Sequence, residues 1–165
     1  MKRFQQFIVL IVISFLSGCG NEVSTSTEDN SATITMAYLD GTWSEKCQYI
    51  SSSNSSSKVV AIFSDSGDNA TVISNSYSGT ICSNNSFIIR QKITNISLGS
   101  KVTLSSNYIV TKYTAVISDF TLEPSTSTYA SALNSASYCG ITSWTSGTET
   151  SIAGLTCGST TISSA

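Results

Sequence analysis

Across residues 86–96 the chain alternates with a period of two. Phe87, Ile89, Gln91 and Ile93 fall on one side; Arg90, Lys92 and Thr94 fall on the other. Successive side chains of a β-strand point to opposite faces, so this is the pattern of a half-buried strand. Such a strand constrains everything around it, because it needs hydrogen-bonded neighbours and a cover for its apolar face. The sequence supplies further strands. Residues 41–50 (GTWSEKCQYI) read as a first strand, with Trp43, Cys47 and Tyr49 on one parity. Residues 58–63, 70–77, 102–104, 107–117 and 120–122 are rich in β-branched and aromatic side chains. Between them lie a polar loop at 51–57, a turn at Asp65-Ser66-Gly67-Asp68-Asn69, a break at Ser78-Gly79 and a turn at 98–101. Turn signals recurring about every 8–12 residues predict an all-β domain. One segment departs from the pattern. Tyr129, Ala132, Leu133 and Ala136 sit at i, i+3, i+4 and i+7, which predicts a short helix over 128–137 capped by Ser127 or Thr128. Residues 141–145 and 150–155 then read as a hairpin around Ser146-Gly147. The expectation is a small antiparallel β-barrel of about eight strands with one late helix. An open β-sandwich is the other arrangement considered.

The N-terminus carries a separate message. Lys2 and Arg3 precede a ten-residue apolar run, FIVLIVISFL, at positions 7–16. That is the length of a signal-peptide core, and a helix crossing a bilayer needs about 20 apolar residues. Leu16-Ser17-Gly18-Cys19 follows directly. This resembles the lipobox of bacterial lipoproteins, in which the Cys is acylated and becomes the new N-terminus. The resemblance implies a signal peptide over 1–18, a lipidated Cys19 held by membrane lipid, and a mature chain beginning there. Gly20, rather than Asp, follows the Cys. In a Gram-negative cell that implies the outer membrane; in any case it implies a lipid-anchored protein of the cell envelope. Residues 20–35 are polar and lack hydrophobic periodicity, so with Cys19 they read as a flexible tether over 19–35, followed by one domain over 36–165.

Cys47, Cys82, Cys139 and Cys157 remain once Cys19 is committed to lipid. An even number in an exported domain predicts two disulfides, with three connectivities open. Cys47–Cys82 with Cys139–Cys157 is favoured, because each pair brackets a compact run of strands. A site of four thiolates on zinc is the rival, but zinc ligands come as close pairs and these spacings are long.

Leu39-Asp40-Gly41-Thr42-Trp43 carries a G-x-W step at the start of the first strand. It resembles the lipocalin or calycin signature, in which the Trp closes one end of the barrel. The T-D-x-x-x-R step of that family is absent here. Residues 130–157, with Tyr138-Cys139-Gly140, Trp144 and Cys157, are loosely similar to small uncharacterised envelope lipoproteins. The lipocalin resemblance implies a ligand cavity, and Trp43, Tyr49, Tyr77, Tyr108 and Tyr113 are the residues expected to line or close it.

Chemistry is scarce. There is no His, which removes Ser-His-Asp and Cys-His catalysis and the commonest metal ligand. A net charge of -2 with 8 basic residues leaves no basic footprint for nucleic acid. Ser and Thr together make up 56 of 165 residues, so a Ser–Lys pair would carry no information. Asp65/Asp68 and Asp119/Glu123 are candidate carboxylate pairs, and both read as solvated surface acids. The 65–69 turn lacks the spacing of a calcium loop. Neither a metal nor a cofactor is expected. The leading expectation is a non-catalytic envelope lipoprotein that binds a small apolar or amphipathic ligand at the membrane surface. The alternative is a protein–protein module with a filled barrel.

Overall fold

A computed structural model describes residues 35–103 and 109–163, with the side chains of Thr103 and Ile109 left out of the description. The fold is all-β with one short helix, as the alternation requires. Strands β1 (Gly41–Ser44), β2 (Gln48–Ile50), β3 (Ser55–Phe63), β4 (Ala70–Ser78), β5 (Asn85–Thr103), β6 (Ile109–Pro124) and β7 (Thr150–Ser151) form one antiparallel sheet. Its order is β1-β3-β4-β5-β6-β7, with β2 also on β3. β8 (Thr156–Cys157) and β9 (Thr160–Thr161) make a separate small hairpin.

The sheet is open, so the expected barrel is corrected to an open curved sheet. β1 pairs with β3 and β7 with β6, and among the described residues the two do not pair with each other. Closure requires strands of matched length and a consistent stagger. Here β7 has two residues, whereas β5 has 19 and β6 has 16. β4 ends its pairing at Ala70–Ile93, so β5 and β6 run on past it as a two-stranded arm.

Three sequence expectations change at irregular positions. The first strand is split, because residues 45–47 on the edge face only Lys58 and Val59 on β3. That is a bulge, which places one extra residue in the edge strand. The turn expected at 98–101 is a second bulge inside β5, where Leu98 pairs with Tyr113 and Lys101 with Thr111. β6 likewise continues through 118, with a register shift between Lys92 and Ile93 opposite it.

Register assigns the faces. Val59, Ala61, Val72, Ile89, Gln91, Phe120 and Leu122 share one face. Val59, Ala61 and Val72 form one buried group, flanked by Trp43, Phe63 and Ile93. Ile89, Phe120 and Leu122 form the larger one, covered by the chain that follows β6. That cover begins with helix α1 (Ser127–Ser135). Its N-cap is Thr126, one residue before the expected positions, and the Thr126 side chain accepts from the Tyr129 N–H at 3.1 Å. Ala130 and Leu133 are its buried residues, while Phe87 and Tyr129 stack with centroids 5.0 Å apart.

The expected hairpin over 141–155 is not formed. Ile141 and Trp144 are spaced by three, which does not fit a strand's period of two. The segment is instead pinned by side chains. Asn134 Oδ1 accepts from the Trp144 N–H at 2.6 Å, Asn134 Nδ2 donates to the Trp144 carbonyl at 3.0 Å, and Trp144 Nε1 donates to the Tyr138 carbonyl at 3.3 Å. Trp144 is only 3% exposed. After it, Gly147 N–H bonds Pro124 O at 2.8 Å, and β7 returns to β6.

Two bridges staple the fold. Cys47–Cys82 has a Cα separation of 5.8 Å, and Cys139–Cys157 one of 4.1 Å. They close spans of 35 and 18 residues, for which chain entropy gives about 3–4 kcal/mol each.

The Asn134 clasp yields a prediction. Asn134→Ala strands two backbone groups of Trp144, and should lower the unfolding free energy by about 1–3 kcal/mol. Trp144→Ala should cost about 3–5 kcal/mol. Urea unfolding with both disulfides intact measures each, and an unchanged midpoint in Asn134→Ala would refute the clasp.

Candidate functional site

The residues expected to line a cavity do not converge. Trp43 lies opposite Ala61 on the core face, half-buried at the sheet edge. Its Nε1 donates to the Leu39 carbonyl at 2.9 Å, which holds the 3₁₀ turn Met36–Tyr38 against β1. Tyr49 and Tyr77 lie opposite Ser56 from either side, on the other face of the sheet. Tyr113 is exposed on the arm, opposite Leu98. Tyr108 and Cys19 lie outside the described residues. The bulge at 45–47 separates Trp43 from Tyr49, although their numbers share a parity.

The outer face of the sheet carries a charge ladder that the sequence did not announce. Register places Arg90 beside Thr121 and Lys92 beside Asp119, with Glu123 one row along. Arg90 reaches Glu123 at 2.7 Å and Glu149 at 3.4 Å. Thr121 Oγ1 donates to the second Glu149 oxygen at 2.7 Å. Lys92 lies 3.4 Å from Asp119, whose other oxygen accepts from Ser151 Oγ at 3.3 Å. Asp119 and Glu123 are therefore not an acid–base pair. Each carboxylate faces its own cation across the strands, and the whole ladder docks the 149–151 segment on the polar face. The signal available in the sequence was the Arg90/Lys92 parity together with the Asp119/Glu123 spacing, but only the register joins them.

Asp65 and Asp68 are not a pair either. The Asp68 carboxylate accepts from the hydroxyls of Ser66 and Ser64 and from Asn69 Nδ2, the last at 2.8 Å. The Ser66 hydrogen bond leads in holding the Asp68 carboxyl below its ordinary value; partial desolvation opposes it, and Ser64, its own backbone N–H and Asn69 add to the lowering. This is a turn closed by its own side chains. Burial pushes the Glu45 carboxyl up, beside the bulge. Burial also raises the Tyr129 phenol, with the neighbouring Tyr138 adding to it. No group of three or more Cys, Asp or Glu side chains among the described residues is placed to hold a metal ion. No helix among them is long and apolar enough to cross a membrane.

Large apolar side chains are exposed at Tyr38 and Ile62 beside β1 and in two further groups. Tyr49, Ile50 and Ile81 are 49%, 40% and 65% exposed at one end of the sheet. Tyr113, Val116 and Ile117 are exposed along the arm. Comparison with protein families and with curated proteins found no match.

Two measurements test these assignments. Arg90→Leu leaves Glu123 half-buried without its cation, and should cost about 1–2 kcal/mol after solvent screening. A urea midpoint equal to that of the parent would refute the ladder. The Asp68 carboxyl, followed by NMR, should titrate below its ordinary value, and Ser66→Ala should move it back up. Its contribution to turn stability is present above the ordinary carboxylate pKa and is lost as pH falls through the lowered one.

Proposed function

We propose that the protein is a non-catalytic lipoprotein of the cell envelope, anchored through an acylated Cys19, that works by recognition at its outer surface. One observation carries the choice of surface over interior. The part of the apolar face around Ile89, Phe120 and Leu122 is already occupied by the chain's own α1, Trp144 and Ile152, whereas Tyr49, Ile50, Ile81, Tyr113, Val116 and Ile117 are exposed to solvent. A carrier for a small apolar molecule needs that inner face for its cargo. A recognition module needs exposed aromatic and aliphatic side chains on a rigid frame. The two disulfides supply rigidity in an oxidising compartment. The anchor rests on the Leu16-Ser17-Gly18-Cys19 motif and the apolar run before it. Two acyl signals are enough to hold a protein stably on a bilayer.

Palmitate labelling of the full chain, with Cys19→Ala beside it, tests the anchor. Label should enter the parent and be lost in the variant; equal labelling would overturn the lipoprotein reading. Native mass spectrometry tests the surface reading. The expected result is a protein mass with two intact disulfides, increased only by covalent acyl groups. A stoichiometric lipid released on denaturation would restore the carrier.

A further inference from the structure

The arm of β5 and β6 projects from the end of the sheet at which the chain enters the domain. β3 ends at Phe63 and β4 begins at Ala70, joined by the 64–69 turn, and β5 and β6 run on past that turn. The Ile96 N–H bonds Asp68 O at 2.8 Å, which fixes the base of the arm to the turn. The first described residues pack on the same turn, where a Cβ on Gly67 would collide with the Met36 carbonyl. β1 then starts at Gly41, opposite Phe63. The segment that leads back to Cys19 therefore leaves the domain beside the arm. Eight residue steps from Ile117 to Ile109, at about 3.3 Å each, carry the arm about 25 Å beyond the sheet. The 16 steps from Cys19 to Thr35 (35 − 19) reach at most about 55 Å. An anchored Cys19 and the arm can meet one bilayer.

The surface of the arm differs from that of the rest of the domain. A strand with one covered face alternates buried and exposed residues, but every residue from Lys112 to Ser118 is exposed. Thr111, Tyr113, Ala115 and Ile117 fall on one side of β6, and Lys112, Thr114 and Val116 on the other, so apolar side chains stand on both. Leu98 lies opposite Tyr113 and extends the first side. Across residues 93–118 the charges are Lys101 and Lys112, with no acid. The other described residues hold 7 acids and 4 bases. The arm is thus a basic, apolar ribbon on an otherwise acidic domain.

We propose that the arm is a membrane-contacting element that rests in the anionic headgroup layer of the bilayer holding Cys19. A Lys close to an anionic leaflet adds about fivefold to affinity, and tyrosines favour the membrane–water boundary. The free edges of the ribbon set its depth. Among the described residues, β5 beyond Ile96 and β6 before Ser118 pair only with each other. Such open edges are not tolerated in hydrocarbon, whereas the headgroup layer keeps water for them. A second copy fits less well, because pairing two arms edge to edge gathers charges of one sign. The inference rests on the lipoprotein reading and gives the domain an orientation. Tyr49, Ile50 and Ile81, at the opposite end of the sheet, then face away from the bilayer and are left for recognition.

The test uses the full chain, purified in detergent from whichever fraction holds it and reconstituted into nanodiscs. One set is phosphatidylcholine; the other is an equal mixture with phosphatidylglycerol. Both carry a trace of lipid with a gadolinium-chelate headgroup, and NMR line broadening reports which residues lie near it. In the mixed discs, resonances of 110–117 should broaden more than those of 48–54 and 77–85. Their broadening should fall about threefold to fivefold in phosphatidylcholine alone and by a similar factor in Lys112→Glu, with no change in Tyr49→Ala. Lys112 is exposed, so its variant keeps the fold, and the parent's broadening map stands independently of it. Equal broadening at both ends of the sheet, indifference to phosphatidylglycerol, or an unchanged Lys112→Glu would each overturn the proposal. Twice the monomer mass in lipid-free detergent, with the amides of 110–117 protected from exchange, would overturn it in favour of a second copy. Palmitate labelling reads the anchor separately. Labelled protein with an unbroadened arm sinks the arm alone, and unlabelled protein whose arm still broadens sinks the anchor alone.

Discussion

The burial of Trp144 is the contact on which the covered sheet depends. Strands β5 and β6 present Phe87, Ile89, Phe120 and Leu122 to one side, and that side must be shielded from water. The shield is a nine-residue helix, short turns and two-residue strands. Such irregular chain leaves backbone groups that no ladder satisfies. Asn134 takes up two of them at Trp144, and the indole N–H takes the Tyr138 carbonyl. Ser137 and Cys139 both hold left-handed backbone conformations, with φ of 44° and 56°. Each costs about 1 kcal/mol in an L-residue. The Cys139–Cys157 bridge and the ring packing of Tyr138 against Trp144 hold the segment in that conformation.

The two faces of the sheet specify register by different means. On the inner face a slip of one residue would move Ile89, Phe120 and Leu122 to solvent. On the outer face the same slip would part Arg90 from Glu123 and Lys92 from Asp119. Exposed ion pairs contribute little to stability. Here they sit beside one another on adjoining strands and reach the 149–151 segment as well, so their larger effect is on which arrangement forms. A chain in which 56 of 165 residues are Ser or Thr has weak apolar discrimination between registers, and the few charges add to it.

What was legible in the sequence was whatever has a period. The alternation at 86–96 located the central strand and its two faces, and the i, i+3, i+4 spacing of Tyr129, Ala132 and Leu133 located the helix. Cysteine spacing favoured the two bridges that the structure contains. What was not legible is what breaks a period. Gly99 signals a turn locally, but β5 absorbs it as a bulge, because the neighbouring strand β6 continues to pair past it. The segment around Trp144 carries strand-like residues, and a clasp from ten residues upstream overrides them. Barrel closure is a property of relative strand lengths, which no single strand encodes. The candidate surface was half legible. Tyr49 and Tyr77 were singled out as cavity residues, but Ser56 between them lay inside a stretch that read as a loop.

The bulge at 45–47 decides which side of the sheet Tyr49 occupies. Trp43 faces Ala61 on the inner face, and Tyr49, six residues later, faces Ser56 on the outer one. Without the extra residue both aromatic rings would lie inside, and the edge would present Gln48 and Ile50 outward instead. The extra residue falls directly before Cys47, whose bridge to Cys82 fixes the strand after the bulge to the loop that carries Ile81. Bulges re-aim side chains and blunt sheet edges against unwanted pairing. In this sheet one bulge does both: it turns Tyr49 outward toward Tyr77, and it confines the free edge at β2 to three residues. The sequence pays for a specific surface there with an irregular strand, and the disulfide keeps that irregularity from relaxing.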